Sequence, residues 1–348
     1  MVGPKHRGTA MDYYAGIDVS LEQSRVCVVD GAGKISHEGK IASEPAVFAQ
    51  YFRELGMPVT RIGLEAGPLS QWLHAGLTAA GFEVVLLETR HVKAALSAMT
   101  VKTDRKDARG IAQLLRMGWF RPVHCKSPGA QEVRALLVGR KLLQGKMLDI
   151  ELGLRGLLRG FGLKMGAVSK GRFAARVREL VAGHRMLESV AEPILQAREA
   201  LRREYNALHR QVLTIVRDDK VCRRLMTVSG VGAVVALTFT SAIDDPRRFR
   251  SSKAVGAHLG LTPKKYQSGE TDITGRISKI GDKGVRTASY QAAHVMLTRP
   301  VKGCSALKSW AMKLAKRAGM KKAKVALARK LVVIMHRMLA DGTTFVDA

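Results

Sequence analysis

The order of apolar runs over residues 13–117 constrains the fold more than any other feature of this 348-residue chain. Three strand-like runs come first, at 13–19, 24–30 and 34–41, and the segment 30–33 predicts a turn between the last two. Helical and strand-like runs then alternate, beginning with a helix, at 45–55, 61–65, 69–80, 83–87 and about 104–117. Three antiparallel strands followed by such an alternation predict a mixed sheet with helices on its faces.

This order of strands and helices is that of the ribonuclease H-like fold, in which acids on the first strand, the fourth strand and a late helix meet at one point. Four acidic residues of this chain occupy those places. Asp18 lies in the first strand-like run and Glu65 ends the fourth. Asp104 and Asp107 stand three residues apart where the last helix begins, so both carboxylates face the same way. A single Asp at a strand end is more often a turn residue, but the joint pattern predicts one metal site. Its oxygen ligands suit Mg²⁺ or Mn²⁺, and two such ions clamp the reacting oxygens of a phosphodiester.

The charge of the chain predicts a polyanionic partner. The formal net charge is +29, from 58 Lys and Arg against 29 Asp and Glu. Residues 1–120 carry 14 basic and 12 acidic side chains, which leaves 44 basic and 17 acidic side chains downstream. Nucleic acid is the expected partner of such a chain. The hydrophobic-rich α/β segment argues against a ribosomal or chromatin-type binder.

Cysteine usage and hydropathy bound the compartment. The four cysteines are scattered without a Cys-x-x-Cys pair, which argues against a zinc finger and a disulfide scaffold and fits a reducing cytoplasm. No apolar run approaches the length of a membrane span, and the N-terminus lacks a signal sequence. We therefore expect a cytoplasmic protein without a membrane partner.

Beyond residue 126 the sequence predicts mostly helices. Residues 127–217 predict a long helical hairpin with a glycine-rich loop at 152–171 and a second arm that begins near 191, and a coiled-coil self-association surface is the lesser alternative. Residues 226–237 predict a helix-hairpin-helix whose turn binds phosphate, with a plain helical corner equally compatible. A loop to about residue 286 and helices at 284–298 and 305–340 complete the chain. Three domains are thus expected, at 12–120, 127–217 and 221–345.

The motifs on this chain resemble those of a known family. Three segments resemble the signature of the DEDD transposases of bacterial insertion sequences: Gly16–Asp18, Leu64–Gly67 and Lys102–Ala108. Four further segments resemble that family's second domain in order and spacing: Val228–Gly232, Phe249, Gly256–Pro263 and Tyr266–Gly269. The resemblance extends over roughly residues 12–340. It implies an N-terminal RuvC-like domain, a coiled coil and a C-terminal transposase domain.

The resemblance also implies a function. It is that of a site-specific DNA recombinase, or transposase, guided on donor and target DNA by a noncoding bridge RNA from the element itself. In that family a serine of the C-terminal domain, by motif position Ser268, attacks DNA and becomes covalently linked to it. The four acids and Mg²⁺ complete a composite active site, which protomers of a tetramer built from dimers can share. Tyr266 is the rival nucleophile, and the family motif favours the serine.

Basic residues and glycines near these motifs are the expected nucleic-acid contacts. They are Lys102, Arg105 and Lys106 beside the acidic pair, Gly230 and Gly232 in the helical turn, and Lys264, Lys265, Arg276, Lys279 and Arg286 around Ser268. Lysine and arginine side chains can hold a scissile phosphate and stabilise its transition state.

Two other functions remain open on the sequence. A RuvC-like structure-specific endonuclease would use the four acids for hydrolysis by water and would need no serine. A nucleic-acid-binding protein with an inactive nuclease domain would need neither, and the four intact acids argue against it.

Overall fold

The computed structural model of the chain describes residues 12–97, 103–300 and 303–346. The chain divides into two compact units, Met1–Lys126 and Ser127–Ala348. The boundary lies between the first two predicted domains, and the other two predicted domains belong to one unit. No helix in the described part of the chain is long and apolar enough to cross a membrane.

The first unit is a five-stranded sheet with helices on both faces. Its strands are β1 (Tyr13–Asp18), β2 (Gln23–Asp30), β3 (Ile35–Ala42), β4 (Val59–Glu65) and β5 (Val84–Leu87). Its helices are α1 (Pro45–Glu54), α2 (Ser70–Ala79), α3 (Thr89–Leu96) and α4 (Asp104–Arg116). The strand order is β3-β2-β1-β4-β5, in which β1, β4 and β5 are parallel and the others antiparallel. The predicted mixed sheet is confirmed, and its order is that of the ribonuclease H-like fold.

The two faces of this sheet bury different helices. Alternate residues of β1, such as Ala15 and Ile17, lie in a core with Phe48 of α1 and Leu73 of α2. Tyr14, on the other face, packs instead against residues of α4. Because side chains alternate along a strand, the second set of β1 residues faces α4.

The described part of the second unit is helical apart from one hairpin. Its helices are α5 (Pro128–Gly160), α6 (Phe173–Val181), α7 (Arg185–Asp218), α8 (Lys220–Leu225), α9 (Ala233–Ile243), α10 (Ser252–His258), α11 (Lys283–Thr298), α12 (Ser305–Ala318) and α13 (Met320–Asp341). The hairpin consists of β6 (Pro263–Ser268) and β7 (Thr271–Ile277). A single core, from Val212 of α7 to Met338 of α13, unites most of these elements.

The predicted helical hairpin is present, but its turn is shorter than predicted. Residues 152–160 belong to α5, because Leu154 and Leu158 are buried against α6 and α7, whereas the nearby glycines face open space. The second arm, α7, begins at Arg185, and Pro193 lies inside it. A proline inside a helix costs about 3 kcal/mol. Burial of Leu187, Ala191 and Leu195 on one helical face offsets this cost.

Two expectations for the C-terminal region were wrong. The segment that precedes α11 is not an open loop, since β6 and β7 pair within it. The predicted helix 305–340 is two helices, because Gly319 adopts a φ of 86° between α12 and α13. A positive φ breaks the helical backbone and is accessible to glycine at little cost.

Candidate active site

Asp18 and Glu65 end neighbouring parallel strands on the same face of the sheet. The pairing of β1 with β4 aligns Gly16 with Gly63 and Ile17 with Leu64, so the next residues are Asp18 and Glu65. Gly16 and Gly63 both face α4, and each acid lies two residues further along the same strand. The alternation of side chains therefore directs both carboxylates toward α4. Both residues are partly exposed.

Two glycines allow α4 to lie directly on the sheet. A Cβ atom at Gly16 would lie 2.2 Å from the carbonyl oxygen of Ala108 and 2.4 Å from the backbone nitrogen of Ala112. A Cβ atom at Gly63 would lie 2.5 Å from Cδ1 of Leu115. Close packing of a helix backbone on a strand needs residues without side chains at the contact. The Gly16 contact thus places the N-terminal half of α4 on β1, and the Gly63 contact places its last turn on β4.

Asp104 and Asp107 lie in that first turn. The Thr103 hydroxyl caps the helix by accepting a hydrogen bond from the backbone nitrogen of Lys106, 3.2 Å away. Asp107 directly precedes Ala108, the residue whose carbonyl touches Gly16. Asp18 and Glu65 therefore lie on the face of the sheet that α4 covers, and Asp107 lies next to the contact of α4 with β1. In the described part of the chain, no three His, Cys, Asp or Glu side chains are arranged closely enough to hold a metal ion.

These residues suit a hard divalent cation. The donor set would be four carboxylates, two of which end strands that the glycine contacts fix against α4. Oxygen ligands of this kind are those that Mg²⁺ and Mn²⁺ prefer. These four carboxylates, on the ends of β1 and β4 and in the first turn of α4, are the residues that would hold such an ion.

Glu38, which sequence reasoning missed, fastens α4 to the edge strand β3. Its Oε2 accepts from Nε of Arg105 at 2.9 Å, and its Oε1 accepts from Nε of Arg109 at 2.5 Å, with a second bond from each arginine. The Glu38 side chain is 16% exposed. Hydrogen bonds from the two guanidinium groups lower the pKa of Glu38 to about 2. Glu38 and Gly16 both align with Cys27 of β2, so one row across three strands supports α4.

Replacing Gly16 with alanine tests whether this close packing of α4 on β1 stabilises the first unit. The added Cβ would meet backbone atoms, which move less readily than a side-chain tip. We expect a loss of about 1–3 kcal/mol of unfolding free energy, the usual cost of overpacking. Gly31→Ala is the matched control, because its Cβ has no neighbour closer than 3.8 Å. Equal urea-denaturation midpoints for the two variants would contradict the expectation.

Replacing Glu38 with glutamine should loosen the first turn of α4. We expect a loss of about 1–3 kcal/mol at neutral pH, because two arginines lose a charged hydrogen-bond acceptor. The folded-state pKa is depressed, so the contribution of Glu38 is present above its unfolded pKa of about 4.3 and disappears toward pH 2. The stability gap between variant and wild type should therefore close as pH falls through this range.

The matched control for Glu38 is another Glu–Arg pair of the same unit. Glu83 pairs with Arg61, and the Glu83 side chain is 56% exposed. Exposed pairs contribute about 1 kcal/mol or less, so Glu83→Gln should change the denaturation midpoint little. A gap for Glu38→Gln that is independent of pH would show that its charge does not fasten α4.

Ser268 lies at the tip of the hairpin in the second unit. Ser268 pairs with Thr271, so Gly269 and Glu270 form a two-residue loop. Gly269 has a φ of 54°, and a Cβ atom added there would meet nothing within 4 Å, so the loop conformation itself accounts for the glycine. The Ser268 hydroxyl is accessible to a substrate from solvent, since every residue of β6 is exposed.

A tight crossing of two chain segments fixes the base of this hairpin. A Cβ atom at Gly260 would lie 2.1 Å from the carbonyl oxygen of Ile280, and one at Gly281 equally close to that of His258. Nη1 of Arg286 donates to the carbonyl oxygens of Leu259, Ile280 and Gly281 at 3.1, 2.8 and 2.9 Å. These contacts favour a structural role for Arg286, in addition to its predicted role as a phosphate contact.

The remaining predicted nucleic-acid contacts differ in their surroundings. Lys264 and Arg276 are exposed on the hairpin, and Lys265 pairs with Asp272 at 3.1 Å. Lys279 has a φ of 57°, unusual for a lysine, and its backbone nitrogen donates to Gly260. Arg105 is bound to Glu38 and Lys106 is partly buried, whereas Lys102 lies outside the described residues.

The two glycines of the predicted phosphate-binding turn have different roles. Gly230, with a φ of 88°, lies against α11, where a Cβ would come within 2.7 Å of the Ala292 carbonyl oxygen. Gly232 is the N-cap of α9 and faces open space. The turn between α8 and α9 therefore needs Gly230 for packing, and only Gly232 leaves room for a phosphate.

The cysteines lie outside this chemistry. Cys27, Cys222 and Cys304 are buried, and Cys125 is partly buried. Burial raises the pKa of Cys27, which lies under α4, to about 11, and raises that of Cys222 to about 12. Neither thiol is a thiolate at neutral pH, so neither serves as a nucleophile.

Comparison with known proteins identifies relatives along most of the chain. Residues 15–162 match a transposase family of the DEDD, IS110 type, and residues 222–308 match the transposase IS116/IS110/IS902 family. The chain is similar to the transposase for insertion sequence element IS1111A of Coxiella burnetii, with 28% identity over 95% of this chain and 90% of the relative. It is also similar to a probable family 20 transposase of Pseudomonas aeruginosa, with 27% identity over 95% of this chain and 97% of the relative.

A solved structure, that of Thermus thermophilus RuvC, matches 32% of this chain and 99% of its own length. The identity is 15% and the TM-score is 0.24. The strand order and the strand pairing of the first unit define its fold.

Proposed function

The chain belongs to the IS110-type DEDD transposases of insertion sequences, and from this premise we propose that it is an RNA-guided, metal-dependent DNA recombinase with a covalent serine–DNA intermediate. Enzymatic action on DNA follows from the family, as does a general dependence on divalent metal ions. The observation that supports the proposal is that Asp18 and Glu65 end neighbouring strands on the face of the sheet that α4 covers, where Asp107 adjoins the contact of Ala108 with Gly16.

In the proposed reaction the Ser268 hydroxyl attacks a backbone phosphate. A bond forms between Oγ of Ser268 and phosphorus, one oxygen–phosphorus bond of the DNA breaks, and a free DNA hydroxyl leaves with a proton. The hydroxyl of another strand then attacks the serine–phosphate bond and releases Ser268. Each step exchanges one phosphate ester for another, so strand exchange needs no external energy source. Exposed Lys264 and Arg276 are suited to hold the phosphate.

The acids would contribute to this reaction through a bound divalent ion. Asp18, Glu65, Asp104 and Asp107 would bind Mg²⁺ or Mn²⁺. When bound, such an ion supplies Lewis-acid stabilisation of charge on the phosphate oxygens. Asp18 and Glu65 would hold the ion from the ends of two paired strands. Asp104 and Asp107 would hold it from the first turn of α4, which Thr103 caps. We further propose that protomers assemble as dimers into a tetramer on DNA, in the bacterial cytoplasm.

Reconstitution with RNA tests the proposal. Purified protein would be mixed with Mg²⁺, a plasmid carrying the joined ends of its element, a target plasmid, and RNA transcribed from the flanking noncoding DNA. We expect recombinant junctions that require the RNA, and a changed target after changes to an RNA loop. Junctions formed equally without RNA would overturn RNA guidance. DNA cleavage that yields neither recombinant junctions nor a protein–DNA adduct would favour the hydrolytic endonuclease.

A further inference from the structure

The hairpin that carries Ser268 has two chemically different faces. Tyr266 pairs with Ile273 and Ser268 pairs with Thr271, so alternation puts these four residues on one face. Gln267 and Lys265 lie on the other face, where Lys265 forms an ion pair with Asp272 across the strands. The face of the predicted nucleophile therefore carries an aromatic and an aliphatic side chain.

This apolar pair is unused by the fold. Tyr266 is 64% exposed and Ile273 is 59% exposed. An aromatic ring beside a β-branched side chain stabilises a strand pair, but leaving both in water forfeits the larger gain from burial. A two-stranded hairpin is also only marginally stable alone. Here the crossing at Gly260 and Gly281 holds its base, so the fold does not require Tyr266 and Ile273 to be apolar.

The pair is held at a fixed short distance from Ser268. Tyr266 and Ser268 are two residues apart on one strand, which separates them by about 7 Å. The hairpin base is closed by the Arg286 hydrogen bonds and by the bond from the Ser278 nitrogen to the Thr262 carbonyl oxygen, 2.9 Å long. A group that contacts Tyr266 would thus lie within one nucleotide of a phosphate at Ser268.

The charges around the pair identify a polyanion as the occupant. Four basic residues lie on the hairpin or at its base, Lys264, Lys265, Arg276 and Lys279, against the acidic Glu270 and Asp272. Aromatic side chains next to basic ones bind nucleic acid by stacking on bases while the cations contact the phosphates. A protein partner with an apolar patch would gain nothing from this excess of positive charge.

We propose that Tyr266 and Ile273 form a shelf on which one nucleobase of the attacked DNA strand stacks, next to the phosphate at Ser268. The shelf rests on the proposed function, because it assigns a substrate contact to the same site. Tyr266 is then a substrate-binding residue whose ring matters and whose hydroxyl does not. The shelf accepts any base, since every base offers an aromatic face.

Photocrosslinking of the full-length protein tests the shelf. The probe is a 20-nucleotide thymine oligonucleotide with one central 5-iodouracil, which crosslinks to aromatic rings stacked on it. Mass spectrometry should locate the crosslink on Tyr266, and Tyr266→Phe should retain it. Tyr266→Leu should lose it and weaken binding about tenfold or more by fluorescence anisotropy. Gln267→Ala, on the opposite face, is the matched control and should leave the crosslink in place.

Two outcomes overturn the shelf. The crosslink falls on another exposed aromatic residue, such as Trp119 or Phe161, or Tyr266→Leu binds the probe as wild type does. In the second case, a change in the sedimentation of Tyr266→Leu would make the pair a protein contact. A crosslink on Tyr266 together with an adduct that persists in Ser268→Ala removes the serine mechanism and leaves the shelf standing.

Discussion

Replacing Ser268 with alanine is expected to abolish the covalent protein–DNA adduct and strand exchange. Another hydroxyl of the hairpin would have to move to take the place of Oγ, and the crossing at Gly260 and Gly281 fixes the hairpin base. Ser268 is exposed at a loop and contributes nothing to the core, so the variant should fold as wild type does. It should also bind RNA and DNA with unchanged affinity.

The measurement is denaturing electrophoresis of labelled DNA, which retains protein-bound strands. Thr274→Ala is the matched control, because this hydroxyl lies on the same hairpin but on the opposite face. Tyr266→Phe should keep the adduct, since it removes the rival hydroxyl and preserves the ring. An adduct in Ser268→Ala, or DNA attached to Tyr266 in a digest of the trapped complex, would exclude the serine and favour the endonuclease.

Replacing Asp18 with asparagine should lower the cleavage rate at least about 100-fold. Loss of a partner that only orients a metal ligand typically costs about 10- to 100-fold, and loss of a ligand should cost at least as much. We expect the same of Glu65→Gln, Asp104→Asn and Asp107→Asn. Each variant should retain the far-ultraviolet circular dichroism of wild type and its RNA affinity, because partly or fully exposed acids are replaced by residues of equal size.

Calorimetric titration with Mn²⁺ separates a metal ligand from a residue with another role. Each of the four variants should weaken Mn²⁺ binding, whereas Asp12→Asn, just before the opposite end of β1, should not. Full activity of Asp104→Asn or Asp107→Asn would remove that residue from the site. Asp104 is the stricter test, because it is the exposed first residue of α4.

The local pattern predicted most of the first unit because each signal there is short-range. Apolar residues recur every two residues in a strand and every three to four residues in a helix. Each run predicted from this pattern ends within two residues of the observed strand or helix. The second unit was harder. Gly153 and Gly156 suggested a loop, but two leucines buried four residues apart keep α5 helical to Gly160. The second arm was predicted to begin near residue 191, but burial of Leu187 against α5 and α6 accompanies a start at Arg185.

The hairpin was missed because its strands are exposed on both faces. Alternation between apolar and polar residues predicts a strand only when one face is buried, and here Tyr266 and Ile273 are isolated among polar residues. The glycine at 269 in a two-residue loop was the available signal.

The sequence by itself determined the mixed sheet, the four acids and their places at strand and helix ends, because these depend on local periodicity and on motif order. The tertiary structure alone decided that the acids share one face of the sheet. That outcome requires Gly16 and Gly63 to admit α4, a contact between residues about 50 to 90 positions apart in the chain. It also decided the role of Glu38, whose charge meets Arg105 and Arg109 across 67 and 71 residues. No local pattern encodes such contacts, because they exist only once the chain has packed.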